Sequence, residues 1–349
     1  MLKQRMAFGA LLAVSGLVLA GCAGVEEPVE SADSADESTE SSETEESMGD
    51  GELSLEGMTV GVAVVGTQHF WDREAFQGAV DEVERLGGEV LTTDGGRDNT
   101  VHAENHDIFL AEGVDAVVTI LGDDAVEPKL EALKDAGIPV FGVDRNSPHA
   151  VNNSQSQNDV GGYAVGEILG EAMGGEGNVA VFNAFGEALD FCGVRYDNWR
   201  AAIEENYPDI VFLEPELAEA FANAPEDARQ QTLTLLERYP EGELDAIHVA
   251  CWDQPAIGVV QALEEAGRTE VLVSAFDAGP DTLEIMMEDG SPFIGNVAQQ
   301  PRAIAIQAVQ NLAAYLAGED VPEQSYVEVY PVAGQAEAQR IYDLLGYGS

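Results

Sequence analysis

Met58-Thr59-Val60-Gly61-Val62-Ala63-Val64-Val65 runs directly into Gly66-Thr67-Gln68-His69-Phe70-Trp71 and then into a helical stretch ending near Leu86. The first eight residues are almost all apolar and rich in Val, which fits a strand buried on both faces. The pattern then repeats. Strands are predicted at Glu89 to Thr93, Ala116 to Leu121 and Pro139 to Asp144, with helices over Val101 to Ala111 and up to Ala136. After a polar stretch, Asn152 to Asn158, the rhythm restarts. Further strands are predicted at Asn178 to Ala184, Ile210 to Glu214, Ala246 to Trp252, Val271 to Asp277 and Phe293 to Gln299. Helices separate them, and a last helix covers Arg302 to Ala317. Near-continuous apolar strands joined by helical crossovers make parallel sheets covered on both faces. Two such blocks predict an α/β protein of two doubly wound parallel-sheet lobes.

Upstream of this region the chain changes character twice. Lys3 and Arg5 precede an apolar run that closes on Leu19-Ala20-Gly21-Cys22. A basic start, an apolar core and small residues before a break read as an export signal. The Cys directly after the small residues resembles the lipobox of bacterial-type lipoproteins. That resemblance implies a signal over residues 1–21 and a lipid on Cys22, which would hold the protein to the outer face of the cell membrane. Residues 22–56 are rich in Glu, Asp, Ser and Thr, and like charges without large apolar groups read as an extended acidic tether. No later apolar run reaches the ~18 residues of a spanning helix.

The formal net charge is −50. A signal with two bases and no acids would leave a mature chain near −52 by subtraction. Such a surface repels nucleic-acid phosphates and anionic headgroups, so nucleic acid is not an expected partner. It suits salty surroundings, where counterions screen self-repulsion, or it simply keeps an exported protein soluble. With Cys22 assigned to lipid, Cys192 and Cys251 remain as an even pair, either bridged in an oxidising compartment or two free buried thiols.

In open parallel sheets, ligands bind beyond the carboxyl ends of the strands. The first predicted strand is followed by Gln68, Phe70 and Trp71, and the fourth by Asp144-Arg145-Asn146. Phe185 to Tyr196 holds Asp190, Cys192 and Arg195. Later strands end in Cys251-Trp252-Asp253, Phe276-Asp277 and Gln299-Gln300-Pro301. Carboxylates and guanidinium groups make strong hydrogen bonds to hydroxyls, and aromatic faces cover the C–H faces of a sugar. The set suits a neutral polyhydroxy ligand. Taken singly, Asp144, Asp253 and Asp277 also fit ordinary helix caps.

From Met58 onward, about 290 residues resemble the ribose- and galactose-type periplasmic binding proteins that deliver sugars to ABC importers. The matching pieces, in order, are Phe70-Trp71, Val143-Asp144-Arg145, Gly193-Val194-Arg195-Tyr196, Trp252-Asp253 with Ala256-Ile257-Gly258, Ala275-Phe276-Asp277 and Ala298-Gln299-Gln300-Pro301. The resemblance implies ligand contacts from Phe70, Trp71, Asp144, Arg145, Arg195, Asp253, Asp277 and Gln299. Gln68 stands where the family often has Asn. Trp252 stands where Asn is common and exchanges an amide for a ring. The family fold implies a three-stranded hinge, with crossings at Asn152 to Asp159, at Gln299 to Pro301 and near Gln324 to Tyr326. The first lobe would comprise residues 57–158 and 300–325, and the second 159–299 and 326–349.

Other signals are set aside. His102 and His106 have metal-ligand spacing on a helix but read as an exposed polar face away from the cleft. Asp94 to Asn99 reads as a turn, and Gly174-Gly175-Glu176-Gly177 as a helix stop. No catalytic elbow or paired nucleophile is present in the sequence, so no enzyme activity, metal or cofactor is expected. The sequence therefore points to an extracytoplasmic, lipid-anchored, monomeric receptor that carries a pentose, hexose or related polyol to an ABC importer. The alternative is a sugar or autoinducer receptor that presents its ligand to a membrane sensor.

Overall fold

The computed structural model describes residues 53–183, 185, 189–218 and 220–348. The signal, Cys22 and most of the tether lie outside the described residues. Leu55, which the sequence places in the tether, is fully buried, and its N–H donates to the Leu86 carbonyl at 2.8 Å. The packed domain therefore starts before residue 57.

Twelve strands among the described residues form two six-stranded sheets. The first sheet has the order β11 (Gln324–Val327), β5 (Asn152–Ser156), β4 (Val140–Val143), β3 (Ala116–Ile120), β1 (Thr59–Val64), β2 (Glu89–Asp94), with every pair parallel. The second has the order β12 (Tyr330–Ala333), β10 (Phe293–Ala298), β9 (Leu272–Ser274), β8 (Ala246–Val249), β6 (Glu176–Phe182), β7 (Asp209–Phe212), and only β12 runs antiparallel. This is the expected pair of doubly wound lobes.

Each sheet carries apolar cores on both faces, as alternating side chains require. On one face of the first sheet Val60, Val62 and Val64 meet Ala75, Ala79 and Val83 of α1 (Phe70–Arg85) and Ile304, Ala308 and Leu312 of α9 (Pro301–Leu316). On the other, Ala63 and Val117 meet Phe109 of α2 (Asn99–Glu112) and Leu130 and Leu133 of α3 (Glu127–Asp135). In the second lobe Val179 and Val181 face α4 (Asn158–Ala172) and α5 (Asp190–Asn206). Ala180 and Phe182 face the core built with α6 (Ala224–Arg238), α7 (Gln254–Ala266), α8 (Pro280–Met287) and α10 (Gly334–Leu344). Each fully buried Leu, Val or Phe contributes roughly 1.5–3 kcal/mol, which sets both sheets firmly.

The chain passes between the sheets three times, at Gln157, at Gln299–Gln300 and at Glu328–Val329. Two features depart from the sequence reading. Asn152–Ser156 forms a buried strand as well as leading into the first crossing. Gln324–Tyr326 does not make the third crossing: it pairs with Asn153–Gln155 inside the first sheet. The polar β5 is tolerated because its side chains bond to one another and to α9 and β11. Asn311 Nδ2 donates to Asn152 Oδ1 and to Ser325 Oγ, and Ser154 Oγ donates to Asn152 Oδ1.

His102 and His106 are also corrected: both are buried, not exposed. His106 uses its two ring nitrogens on the His102 carbonyl and Thr119 Oγ1. Burial pushes His102 down to about 3 and His106 to about 4, so both are neutral core residues.

Candidate functional site

The carboxyl ends of strands from both sheets meet around a cavity of about 230 Å³. The first lobe supplies His69, Trp71 and Asp72 after β1, Arg97 and Asn99 after β2, Leu121 to Asp123 after β3 and Asp144 after β4. The second supplies Phe185, Phe191 and Arg195 after β6, Phe221 after β7, Cys251 and Trp252 after β8, Asp277 after β9 and Gln299 after β10. Among the described residues, six other than glycine have positive φ, and four of them (Arg97, Leu121, Asp144 and Asp277) line this cavity. Such backbone costs about 1–3 kcal/mol per residue and is retained where side chains must be aimed.

Arg195 is held from every side. Its Nε donates to Asn158 Oδ1 at 2.8 Å and its Nη1 to the Cys251 carbonyl at 2.5 Å. Nη1 lies 3.3 Å from Asp277 Oδ1, and Nη2 lies 3.7 Å from Asp144 Oδ2 across the cleft. The guanidinium also faces the rings of Phe276 at 4.2 Å and Phe191 at 4.8 Å. The position of its helix traces back to α4, where Gly162, Gly166 and Gly170 recur every four residues. A Cβ at Gly162 would come within 2.3 Å of the Arg195 carbonyl, and one at Gly166 within 2.7 Å of the Trp199 carbonyl. The glycine face lets α5 lie against α4 closely enough to bring Arg195 into the cleft. At the other end, a Cys192–Cys251 disulfide ties the first turn of α5 to the loop after β8, with Cα atoms 4.7 Å apart.

Asp72, Asp144 and Asp277 of the cavity are buried, and Asp144 Oδ1 has no hydrogen-bond partner. Burial pushes Asp144 up from 3.8 to about 6, with Arg195 pulling the other way. Burial also raises Asp277, and Arg195 again opposes the rise. Gln299 Nε2 donates to Asp277 Oδ1, and Gln299 Oε1 accepts from Ser156 Oγ at 2.6 Å. Burial alone would push His69 down, but Asp253 at 3.2 Å and Asp72 at 3.9 Å outweigh it and raise His69 to about 10. His69, Asp253 and Asp277 converge closely enough to hold a cation, and protonated His69 fills that role itself.

Of the ten residues predicted to bind ligand, Trp71, Asp144, Arg195, Trp252, Asp277 and Gln299 line the cavity, and four do not. Gln68 is exposed. Phe70 is buried against Tyr347 and against the backbone at Gly279, where a Cβ would meet its ring at 2.4 Å. Arg145 turns away to the Gly122 carbonyl, Asp124 and Glu127, and lines an adjoining pocket of about 120 Å³ that shares Gly122, Asp144, Leu189 and Phe191 with the cavity. Asp253 is fully buried and accepts from Gly279 N at 2.8 Å and Thr282 Oγ1 at 2.7 Å, so it shapes the turn behind Asp277. The sequence reading missed His69, Asp72, Arg97, Asn99 and Phe221. Arg97 and Phe221 follow β2 and β7, and reading those two strand ends as ligand-facing would have found them.

Residues 60–320 match the model of the periplasmic binding protein domain. An ABC transporter solute-binding protein from Agrobacterium vitis, solved with bound allitol, superposes with a TM-score of 0.80 at 38% identity, covering 84% of this chain and 100% of that one. An ABC sugar transporter subunit from Rhodobacter sphaeroides gives 0.77 at 37% identity, covering 81% and 100%. Among curated relatives, the xylitol-binding protein of Mycolicibacterium smegmatis is 25% identical over 78% of this chain and 76% of its own length. The ribose import binding protein of Escherichia coli is 25% identical over 74% and 84%. These relatives are binding proteins rather than enzymes. The chain belongs to the periplasmic binding protein family of ABC sugar and polyol transporters, whose members work outside the cytoplasm. No described helix is long and apolar enough to cross a membrane.

Proposed function

We propose that this protein captures a neutral monosaccharide or the corresponding polyol between its lobes and hands it to an ABC importer. The observation that carries this reading is a set of four buried polar atoms without a hydrogen-bond partner, all on cavity-lining residues. They are Trp71 Nε1, Arg97 Nε, Asp144 Oδ1 and Arg195 Nη2. Each is costly when left unpaired, by roughly 1–3 kcal/mol. Three are donors and one is an acceptor. A hydroxyl both donates and accepts, so a polyol satisfies the whole set with one functional group. The rings of Trp71, Trp252, Phe185 and Phe221 give the C–H faces of such a ligand an apolar surface. The cavity is smaller than the roughly 300–1,000 Å³ of drug-sized sites, which favours a single sugar unit. The allitol-bound neighbour and the xylitol-binding relative support including acyclic polyols in the ligand class.

Cys22 with its acidic tether would keep the receptor beside its importer, raising the effective concentration at the permease. Closing of the lobes over the ligand is the signal the permease would read. The test is a thermal-shift panel of pentoses, hexoses, inositols and alditols. A ligand at a hundred times its Kd adds about 2.7 kcal/mol of stability. A melt unmoved by every member of the panel would remove the sugar and polyol reading.

A further inference from the structure

Asp72 anchors two cations of the first lobe that both reach the second. Arg97 Nη2 donates to Asp72 Oδ2 at 2.6 Å, and His69 Nδ1 lies 3.9 Å from Asp72 Oδ1. Both cations then meet the same short segment across the cleft. The Arg97 guanidinium stands over Trp252 at 5.4 Å and over Phe221 at 4.7 Å. His69 Nε2 lies 3.2 Å from Asp253 Oδ1, and its ring is edge-on to Trp252 at 5.4 Å. Trp252 and Phe221 are themselves stacked, at 5.9 Å and 25°. These contacts join different lobes, so they exist only when the lobes are together.

The parts are organised in advance on each side. Asp253 Oδ2 is fixed by Gly279 N and Thr282 Oγ1, within its own lobe, and its Oδ1 is left facing His69. Asp72 fixes Arg97 within the first lobe and lies beside His69. We propose that Asp72, His69 and Arg97 form a latch that grips Trp252, Asp253 and Phe221 and stabilises the closed form in its own right. The latch sets how long a ligand is held rather than how fast it arrives, and it biases the ligand-free protein toward closure. This rests on the reading of the cleft as one that opens and closes around a ligand. It gives Asp253 and Trp252 a role beyond touching that ligand, and Asp253 does not line the cavity.

Asp253→Asn tests this with little collateral change. The Asn oxygen can replace Oδ2 and keep the bonds from Gly279 and Thr282, while its amide then faces the protonated His69 and repels it. In the full mature chain, X-ray scattering without ligand should show Asp253→Asn more expanded than the wild type. Stopped-flow Trp fluorescence with a ligand from the panel should show dissociation faster by about 10- to 100-fold and association nearly unchanged. Phe221→Leu, on a half-buried loop, removes one face of the Arg97 contact and should expand the ligand-free protein in the same direction. Ligand-free dimensions identical to wild type in both variants would overturn the latch, whatever happens to affinity. Because that readout needs no ligand, it stays decisive even if the sugar panel fails.

Discussion

Replacing Asp144 with Asn should make the ligand-free protein more stable while weakening ligand capture. Asp144 is 3% exposed, its backbone is left-handed at φ 46°, and its Oδ1 has no partner. Its nearest cation, Arg195 Nη2, is 3.7 Å away, too far for a good hydrogen bond. Burial therefore wins, and the carboxyl is pushed up from 3.8 to about 6. The folded state holds this proton more tightly than the unfolded chain. The stability linked to it is fully present below pH 3.8 and is lost as pH rises through about 6. Above that, ionisation costs about 3 kcal/mol, taking 1.36 kcal/mol per unit. Asn has the same shape, carries no charge and tolerates left-handed backbone well. Its cost is the lost attraction to Arg195, which keeps Asp277, the Cys251 carbonyl and Asn158. The net expectation is a gain of about 1–3 kcal/mol at pH 8, about half as large at pH 5 and vanishing below pH 3.8, measured by urea unfolding. An Asp144→Asn protein less stable than wild type at pH 8 would refute this, and would mean that the Arg195 pairing outweighs desolvation.

Trp71→Ala and Asp277→Ala should each abolish the ligand-induced thermal shift without unfolding the ligand-free protein; retained binding in both would remove the cleft assignment. Opening the disulfide with the Cys192→Ser/Cys251→Ser pair should cost roughly 2–4 kcal/mol, given a separation of 59 residues, as read by denaturant midpoint. His102, His106 and His248 are all pushed below 6.5 by burial, to about 3, 4 and 3, so the stability they hold above pH 6.5 is lost as pH falls toward those values. Three such protons give a slope of about 4 kcal/mol per pH unit in acid melts, and His248→Gln should remove about a third of it. Raising salt from 0.1 to 1 M shortens the screening length from about 10 to 3 Å, so ligand-free stability should rise while affinity for a neutral ligand stays level; a Kd that climbs steeply with salt would reveal a charged ligand.

The central parallel strands were legible because burial on both faces leaves them almost no polar residue: β3, Ala-Val-Val-Thr-Ile, is buried at all five positions. β5 was legible only as a polar crossing, because Asn-Asn-Ser-Gln-Ser satisfies its side chains through Asn311, Ser325 and Gln299, partners more than a hundred residues away. β11 and β12 are four residues each and half-exposed, and carry too little apolar pattern to stand out. In the site, the loops were legible and the direction of individual side chains was not. Asp144 and Arg145 are neighbours, yet the left-handed turn at Asp144 sends one into the cavity and the other behind Gly122. Trp252 and Asp253 divide in the same way, the ring into the cavity and the carboxylate onto the Gly279 turn. No periodicity in the sequence encodes those choices, because they depend on loop dihedrals.

The charge of the whole chain and the charge of the cleft point to the same ligand. The sequence holds 65 acids and 15 bases. Arg97 and Arg195 are drawn from those 15 bases and, with the protonated His69, are placed among Asp72, Asp144, Asp253 and Asp277. Three cations against these four carboxylates leave the cleft without excess positive charge. An anionic sugar would have to approach a chain whose formal charge is −50 and then enter a site with no excess positive charge to receive it. An amine would compete with three cations already paired to the available carboxylates. A neutral polyol meets neither obstacle, and its hydroxyls match the mixture of unpaired donors and acceptor on the cavity wall. On the proposed reading, the acidic chain and the cleft would act as two successive filters, the first against anions at a distance and the second against either charge at contact.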